Sequence, residues 1–155
     1  MDEGMTGERP LVFETRLLIP YRNYAGAVGS RFLRELRDHK RILGIRCPSC
    51  DRVYVPPRST CYACFGQLRD WVQVGTTGTL ISFTEVYYRE SIHPVTPPFM
   101  YGIVRLDKAD TGLLHLLGEI DPGEAKIGMR VEAVFREGRQ GSILDIRYFR
   151  PLRER

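Results

Sequence analysis

All four cysteines of this 155-residue chain fall between positions 47 and 64, as Cys47-x2-Cys50, ten intervening residues, and Cys61-x2-Cys64. Two thiolates separated by two residues fit one tight turn and point the same way. Two such turns facing each other offer tetrahedral sulfur coordination with bonds of about 2.3 Å. Four thiolates leave no open coordination position, so the spacing predicts a structural zinc rather than a hydrolytic one. Iron in a rubredoxin-like site uses the same donors. Paired disulfides of a secreted mini-protein are the rival reading. Against them stand a 43% hydrophobic content, enough for a real core, and an N-terminus (Asp2, Glu3, Gly4, Gly7) with no apolar signal-peptide centre. Apolar runs such as Leu113 to Leu117 are far shorter than the roughly 20 residues of a membrane helix. A cytoplasmic protein is expected.

The residues around the quartet read as a small ribbon. Pro48 and Ser49 fill the first turn, Val53 to Val55 make a short strand, and Pro56-Pro57 ends it. Arg46, Arg52 and Arg58 are expected to temper the charge of a tetrathiolate metal. Upstream, residues 1–20 read as irregular or extended, with Leu11, Phe13, Leu17, Leu18 and Ile19 apolar enough to pack on a surface. A helix is expected to start near Ser30, a suitable N-cap. Phe32, Leu33, Leu36 and Leu43 recur at helical spacing, and Gly44 is the expected stop.

Downstream, the pattern changes to strands. The segments are Trp71–Val74, a long run to Tyr88, Phe99–Leu106, Leu113–Ile120, Val131–Phe135 and Ile143–Phe149. Gly75 and Gly78 bracket a turn, and a proline-rich loop carries His93, Pro94, Pro97 and Pro98. In the last strand, Leu144, Ile146 and Tyr148 alternate with Asp145 and Arg147, as on a sheet with one buried face. The fold class is mainly β: an N-terminal helix, a rubredoxin-like zinc ribbon and a C-terminal five-stranded OB-fold barrel. The expected divisions are 1–44 for extension and helix, 45–70 for the ribbon, and 71–155 for the barrel.

The order of helix, CxxC-x10-CxxC ribbon and barrel resembles the zinc-ribbon/OB-fold acyl-CoA-associated family, long carried as a domain of unknown function. The resemblance spans roughly 24–150. It rests on Phe32-Leu33-x-x-Leu36, Cys47-Pro48-x-Cys50, Pro56-Pro57-Arg58, Cys61-x-x-Cys64 and Trp71. It continues through Gly75-x-x-Gly78-Thr79-Leu80-x-Ser82-Phe83-Thr84, Pro98-Phe99-x-Tyr101-Gly102 and Ile127-Gly128-Met129. It implies a non-catalytic subunit of a CoA-thioester enzyme, partnered by a thiolase-like chain or by a hotdog-fold hydratase. The stretch from Tyr21 to Arg31 looks most like the thiolase-associated branch.

The side chains agree with an assisting role. The metal takes every cysteine, so no thiol nucleophile remains. His39, His93 and His115 are scattered. His39 reads as solvated and His115 as structural; His93, in the proline-rich loop, is kept as a site candidate. A CoA thioester presents phosphates, which suit arginine forks, and an adenine, which stacks on flat faces. Arg58, Tyr87, Tyr88, Arg89, Phe99 and Tyr101 are the candidates to meet it. The same rings could equally fill the barrel wall. Of 23 basic residues only Lys40, Lys108 and Lys126 are lysines, which suits an anionic ligand or simply a GC-rich genome. A nucleic-acid-binding ribbon and barrel stays open, although acidic residues interrupt any basic stripe. The metal is expected to shape a mobile or interfacial module and to hold Arg58 beside the CoA path.

Overall fold

The computed structural model describes residues 11–15, 17 and 19–153. Leu18 and the first ten residues lie outside that set. Helix α1 (Gly26–His39) comes first. Strands β1 (Leu43–Arg46), β2 (Val53–Tyr54) and β3 (Asp70–Gln73) form a three-stranded antiparallel sheet in the order β2-β1-β3. Then β4 (Thr77–Val86), β5 (Phe99–Leu106), β6 (Gly112–Leu117), β7 (Arg130–Phe135) and β8 (Ile146–Pro151) close a barrel in the order β4-β5-β6-β8-β7. The β6–β8 pairing is parallel, through Leu117 and Phe149. This is the expected mainly β chain with its five-stranded OB-type barrel.

Helix α1 differs from its expected limits at both ends. It begins at Gly26, in the left-handed region at φ 70°, so Ser30 is helix interior rather than cap. It ends before Lys40, which is left-handed at φ 53°. Leu43 is therefore a strand residue; its seven-residue separation from Leu36 imitated helical spacing. Gly44 stops no helix. It sits in β1 because a Cβ there would lie 2.7 Å from Val53 Cγ1, so only glycine allows β2 so close. Phe32 and Leu36, one turn apart, bury the helix's apolar stripe.

The barrel departs from its expected pattern where the backbone bends. Gly78 lies inside β4, paired with Leu106 and Val131, and not at a turn. Tyr87 and Tyr88 fall beyond the end of β4. Strand β6 stops at Leu117, and Glu119 is left-handed at φ 55°. Residues Ile143–Asp145 form a single 3-10 turn, so β8 starts at Ile146. Asp145 is consequently buried, not on an outer polar face. Its carboxylate accepts from the backbone N–H groups of Gln140 (2.9 Å), Gly141 (2.8 Å) and Ser142 (3.2 Å). Three backbone N–H donors satisfy this acceptor-only side chain in its buried place.

One hydrophobic core runs through all three parts. It joins Phe32 and Leu36 of α1, Leu43, Val53 and Val55 of the ribbon, and Leu80, Val104, Val131 and Phe149 of the barrel. The turn after β5 also clasps the free edge of β2. Asp110 accepts from Val53 N (2.8 Å) and donates its own N–H to Val53 O (2.9 Å), and Thr111 Oγ1 bonds Val55 N (2.7 Å). The ribbon is thus packed onto the barrel. By contrast, Leu11, Phe13, Leu17, Ile19 and Tyr21 are exposed on this chain.

Candidate metal centre and ligand-binding face

The quartet is built by two knuckles that repeat each other. In the first, Asp51 N donates to Cys47 O (2.8 Å) and Cys47 N to Arg52 O (2.8 Å). In the second, Phe65 N donates to Cys61 O (3.1 Å) and Cys61 N to Gly66 O (2.9 Å). Asp51 and Phe65, each four residues after a cysteine, are both left-handed, at φ 54° and 58°. The four sulfurs lie within 4.8 Å of one another, with Cys47–Cys64 at 3.5 Å and Cys50–Cys61 at 4.0 Å. Tetrahedral bonds of 2.3 Å place sulfurs about 3.8 Å apart, so the donor set fits four-coordinate zinc. Zinc held there supplies folding energy and no open position.

The arginines beside the quartet each have a partner other than sulfur. Arg46 pairs with Asp51 (3.1 Å), Arg52 contacts the Tyr62 hydroxyl, and Arg58 lies 5.1 Å from the centre of the Tyr54 ring. Among the described residues, the groups outside the quartet that bond sulfur are the Tyr54 hydroxyl and the Ala63 amide, both on Cys61, at 3.1 and 3.4 Å. The Tyr54 bond is the main cause that brings the Cys61 thiol down to about 6. The same bond, with burial, pushes the Tyr54 hydroxyl up to about 12.

The six residues weighed for a CoA ligand separate into two regions. Arg58 stays on the ribbon with Tyr54. On the barrel, Tyr88, His93, Phe99 and Tyr101 form a chain of rings with successive centroids 5.3, 5.2 and 5.2 Å apart, the last two contacts edge-to-face. His93 is fixed by Glu90, whose N–H donates to its Nδ1 at 3.3 Å. Tyr87 is exposed and bonds Glu85, while Arg89 borders a small hollow of 210 Å³ in the proline-rich loop. His115 is the structural residue it was expected to be. It is buried, its Nδ1 accepts from Leu116 N (2.9 Å) and its Nε2–H donates to Ile143 O (3.1 Å). Burial, above all, holds its imidazole below the usual range.

A larger hollow of about 760 Å³ opens beside Phe99. Leu116, Leu117, Phe135, Arg136 and Arg147 also line it. A second hollow of about 270 Å³ shares Phe99 and Leu117 with it and continues to Pro98, Ile120 and Pro122. Of the sequence candidates, Phe99 alone lines either hollow. The others were missed because β6, β7 and β8 converge only through the parallel pairing, and no local motif marks residues 116, 136 and 147 as neighbours.

The ribbon, residues 34–69, matches the ChsH2 rubredoxin-like zinc ribbon domain, and residues 71–136 match the ChsH2 C-terminal OB-fold domain. A DUF35 domain-containing scaffold protein of Pyrococcus furiosus is 30% identical over 127 residues, 79% of this chain and 92% of the relative. Its counterpart in Methanocaldococcus jannaschii is 26% identical over 130 residues, covering 79% and 89%. The solved Ltp2-ChsH2(DUF35) aldolase shares the fold, with a TM-score of 0.61 at 24% identity over 86% of this chain and 98% of that one. A DUF35-family structure of unknown function from Sulfolobus solfataricus gives a TM-score of 0.56 at 25% identity, covering 70% and 78%.

Proposed function

Because the chain belongs to the DUF35 family of scaffold proteins, with a ChsH2-type zinc ribbon and OB-fold, we propose that it is a non-catalytic, CoA-thioester-binding subunit of a thiolase-type complex. The observation that carries this reading is that one metal site gathers every cysteine of the chain. Thiolase chemistry needs a thiolate nucleophile with a base beside it, and zinc-bound sulfurs cannot serve. The carbon–carbon bond is therefore made or broken on a partner chain. The Ltp2-ChsH2(DUF35) aldolase, whose name joins two proteins, and the name scaffold carried by the relatives support an assembly of this kind. The exposed side chains of Leu11, Val12, Phe13, Leu17, Ile19 and Tyr21 offer the partner an apolar surface. The ring chain and the hollow beside Phe99 supply a face for the thioester.

Nucleic acid fits the barrel as a whole less well, because part of its basic surface is already paired. Arg130, Arg150 and Arg153 are each tied to carboxylates, at 2.6 Å to Asp107, 2.8 Å to Glu132 and 2.8 Å to Glu119. Phe99 and Tyr101 pack edge-to-face on each other. Paired guanidiniums and engaged rings are poor tracks for a phosphate backbone and its bases.

The test is co-purification with a thiolase-like protein, followed by turnover of a CoA ester with and without this chain. The pair is expected to turn over faster, with a lower KM, than the partner alone. Full activity of the isolated partner, at unchanged KM, removes the role.

A further inference from the structure

We infer that the two hollows meeting at Phe99 and Leu117 are one directional trough, which holds a phosphate-headed thioester with its anionic end at Arg136 and Arg147 and its acyl end at Pro98, Ile120 and Pro122. The inference rests on the CoA-thioester reading and adds a location, a polarity and two binding residues. Both hollows are lined by Phe99 and Leu117, which places them side by side, and the larger one, about 760 Å³, lies within the size range of small-molecule sites.

The ends differ in chemistry. Arg136 follows β7 and Arg147 lies in β8, and the barrel brings both residues to the lining of one hollow. Among the described residues, neither has a side-chain ion pair, whereas the barrel's Arg130, Arg150 and Arg153 do. Arg147 is 5.3 Å from the centre of the Tyr148 ring, a contact that orients its planar fork. Glu137 also lines this hollow, leaving two positive charges against one negative. At the far end, Glu85 is the charged wall residue, and its carboxylate accepts from the Tyr87 hydroxyl. The rest of that end is Met100, Leu117, Ile120 and prolines. A thin chain with phosphates at one terminus and an apolar group at the other matches this order. Phosphate binding by paired arginines is charge-assisted, and an apolar tail is held by area alone.

Calorimetric titration of the zinc-loaded full chain tests it, with octanoyl-CoA, acetyl-CoA and phosphate-free S-octanoylpantetheine as probes. The Arg136→Ala/Arg147→Ala variant is expected to weaken octanoyl-CoA about tenfold or more while leaving S-octanoylpantetheine within about twofold. Pro122→Trp, at an exposed position, is expected to weaken octanoyl-CoA about tenfold and acetyl-CoA by less than about twofold, since it narrows only the acyl end. Zinc content and melting temperature equal to wild type establish that each variant folds. Equal losses for the CoA and pantetheine probes overturn the arginine assignment. Binding of octanoyl-CoA that ignores both variants overturns the trough and leaves the subunit reading standing. A full chain that binds no CoA thioester overturns both.

Discussion

Replacing Tyr54 by phenylalanine isolates one hydrogen bond at the metal centre. Tyr54 is fully buried, with its hydroxyl 3.1 Å from Cys61 Sγ. A zinc-bound thiolate has no proton, so the hydroxyl donates. Phenylalanine keeps the ring, its edge contact with Tyr62 at 5.6 Å and its face toward Arg58 at 5.1 Å. The change therefore opens no cavity and removes one bond to a charged acceptor, worth about 1.5–3 kcal/mol. At about 1.4 kcal/mol per tenfold, zinc affinity should fall about tenfold to a hundredfold, the range expected when a partner of a metal ligand is lost. Competition against a chromogenic zinc chelator measures this directly. Tyr62→Phe is the control, because the Tyr62 hydroxyl bonds Arg52 and not sulfur. Unchanged zinc affinity in Tyr54→Phe, or an equal loss in Tyr62→Phe, would refute the reasoning.

Four further outcomes are expected. Zinc removal by a chelator should abolish the barrel's near-ultraviolet signal together with the ribbon's, in a single transition; a barrel that survives with its own melting point contradicts the shared core. Stability should fall with pH below about 6.5, because His115 is held below its unfolded value and the unfolded chain then binds more protons; in His115→Gln that slope should flatten in urea titrations from pH 7 to 5. Asp145→Ala should cost about 3 kcal/mol or more, read from the urea midpoint, since it leaves three backbone amides without their acceptor. Phe65→Gly should raise stability by about 1 kcal/mol in thermal melts, because Phe65 is exposed and left-handed; no gain means the knuckle does not strain it.

The features legible in the sequence were those set by short-range rules. Cysteine spacing fixes two knuckles whatever the rest of the chain does, and strand periodicity located β5 at Phe99–Leu106 to the residue. What failed was wherever a distant contact overrules a local preference. Ser30 is a good cap, yet the helix starts at Gly26, where the chain can turn through positive φ. Leu43 fits a helical repeat, yet strand pairing with Gln73 claims it. Asp145 reads as an outward polar residue, yet three amides of the preceding turn bury it. The ligand-facing candidates fared likewise. Tyr88, Phe99 and Tyr101 are close in sequence and meet as rings, but Arg136 and Arg147 join Phe99 only after the barrel closes.

Strand β2 shows why a metal site with no chemistry of its own can matter to a ligand face elsewhere on the fold. Alternation points successive side chains to opposite sides. Val53 and Val55 accordingly enter the main core with the barrel residues, while Tyr54 between them enters the small core with Cys47, Cys61 and Leu68. The backbone of the same residues is clasped by Asp110 and Thr111, from the turn joining β5 to β6. Those two strands carry Phe99, Leu116 and Leu117, which line the hollow. A displaced quartet would shift Tyr54, and Tyr54 cannot move without its two valines. On the proposed reading, zinc would act on the trough by holding β2, and with it the turn that joins β5 to β6, in place. On this argument Tyr54→Phe, with the metal saturated, leaves octanoyl-CoA binding at its wild-type value, whereas metal removal abolishes it. Loss of ligand affinity in the zinc-saturated variant would mean instead that the hydroxyl's bond to sulfur, and not the placement of β2, carries the coupling.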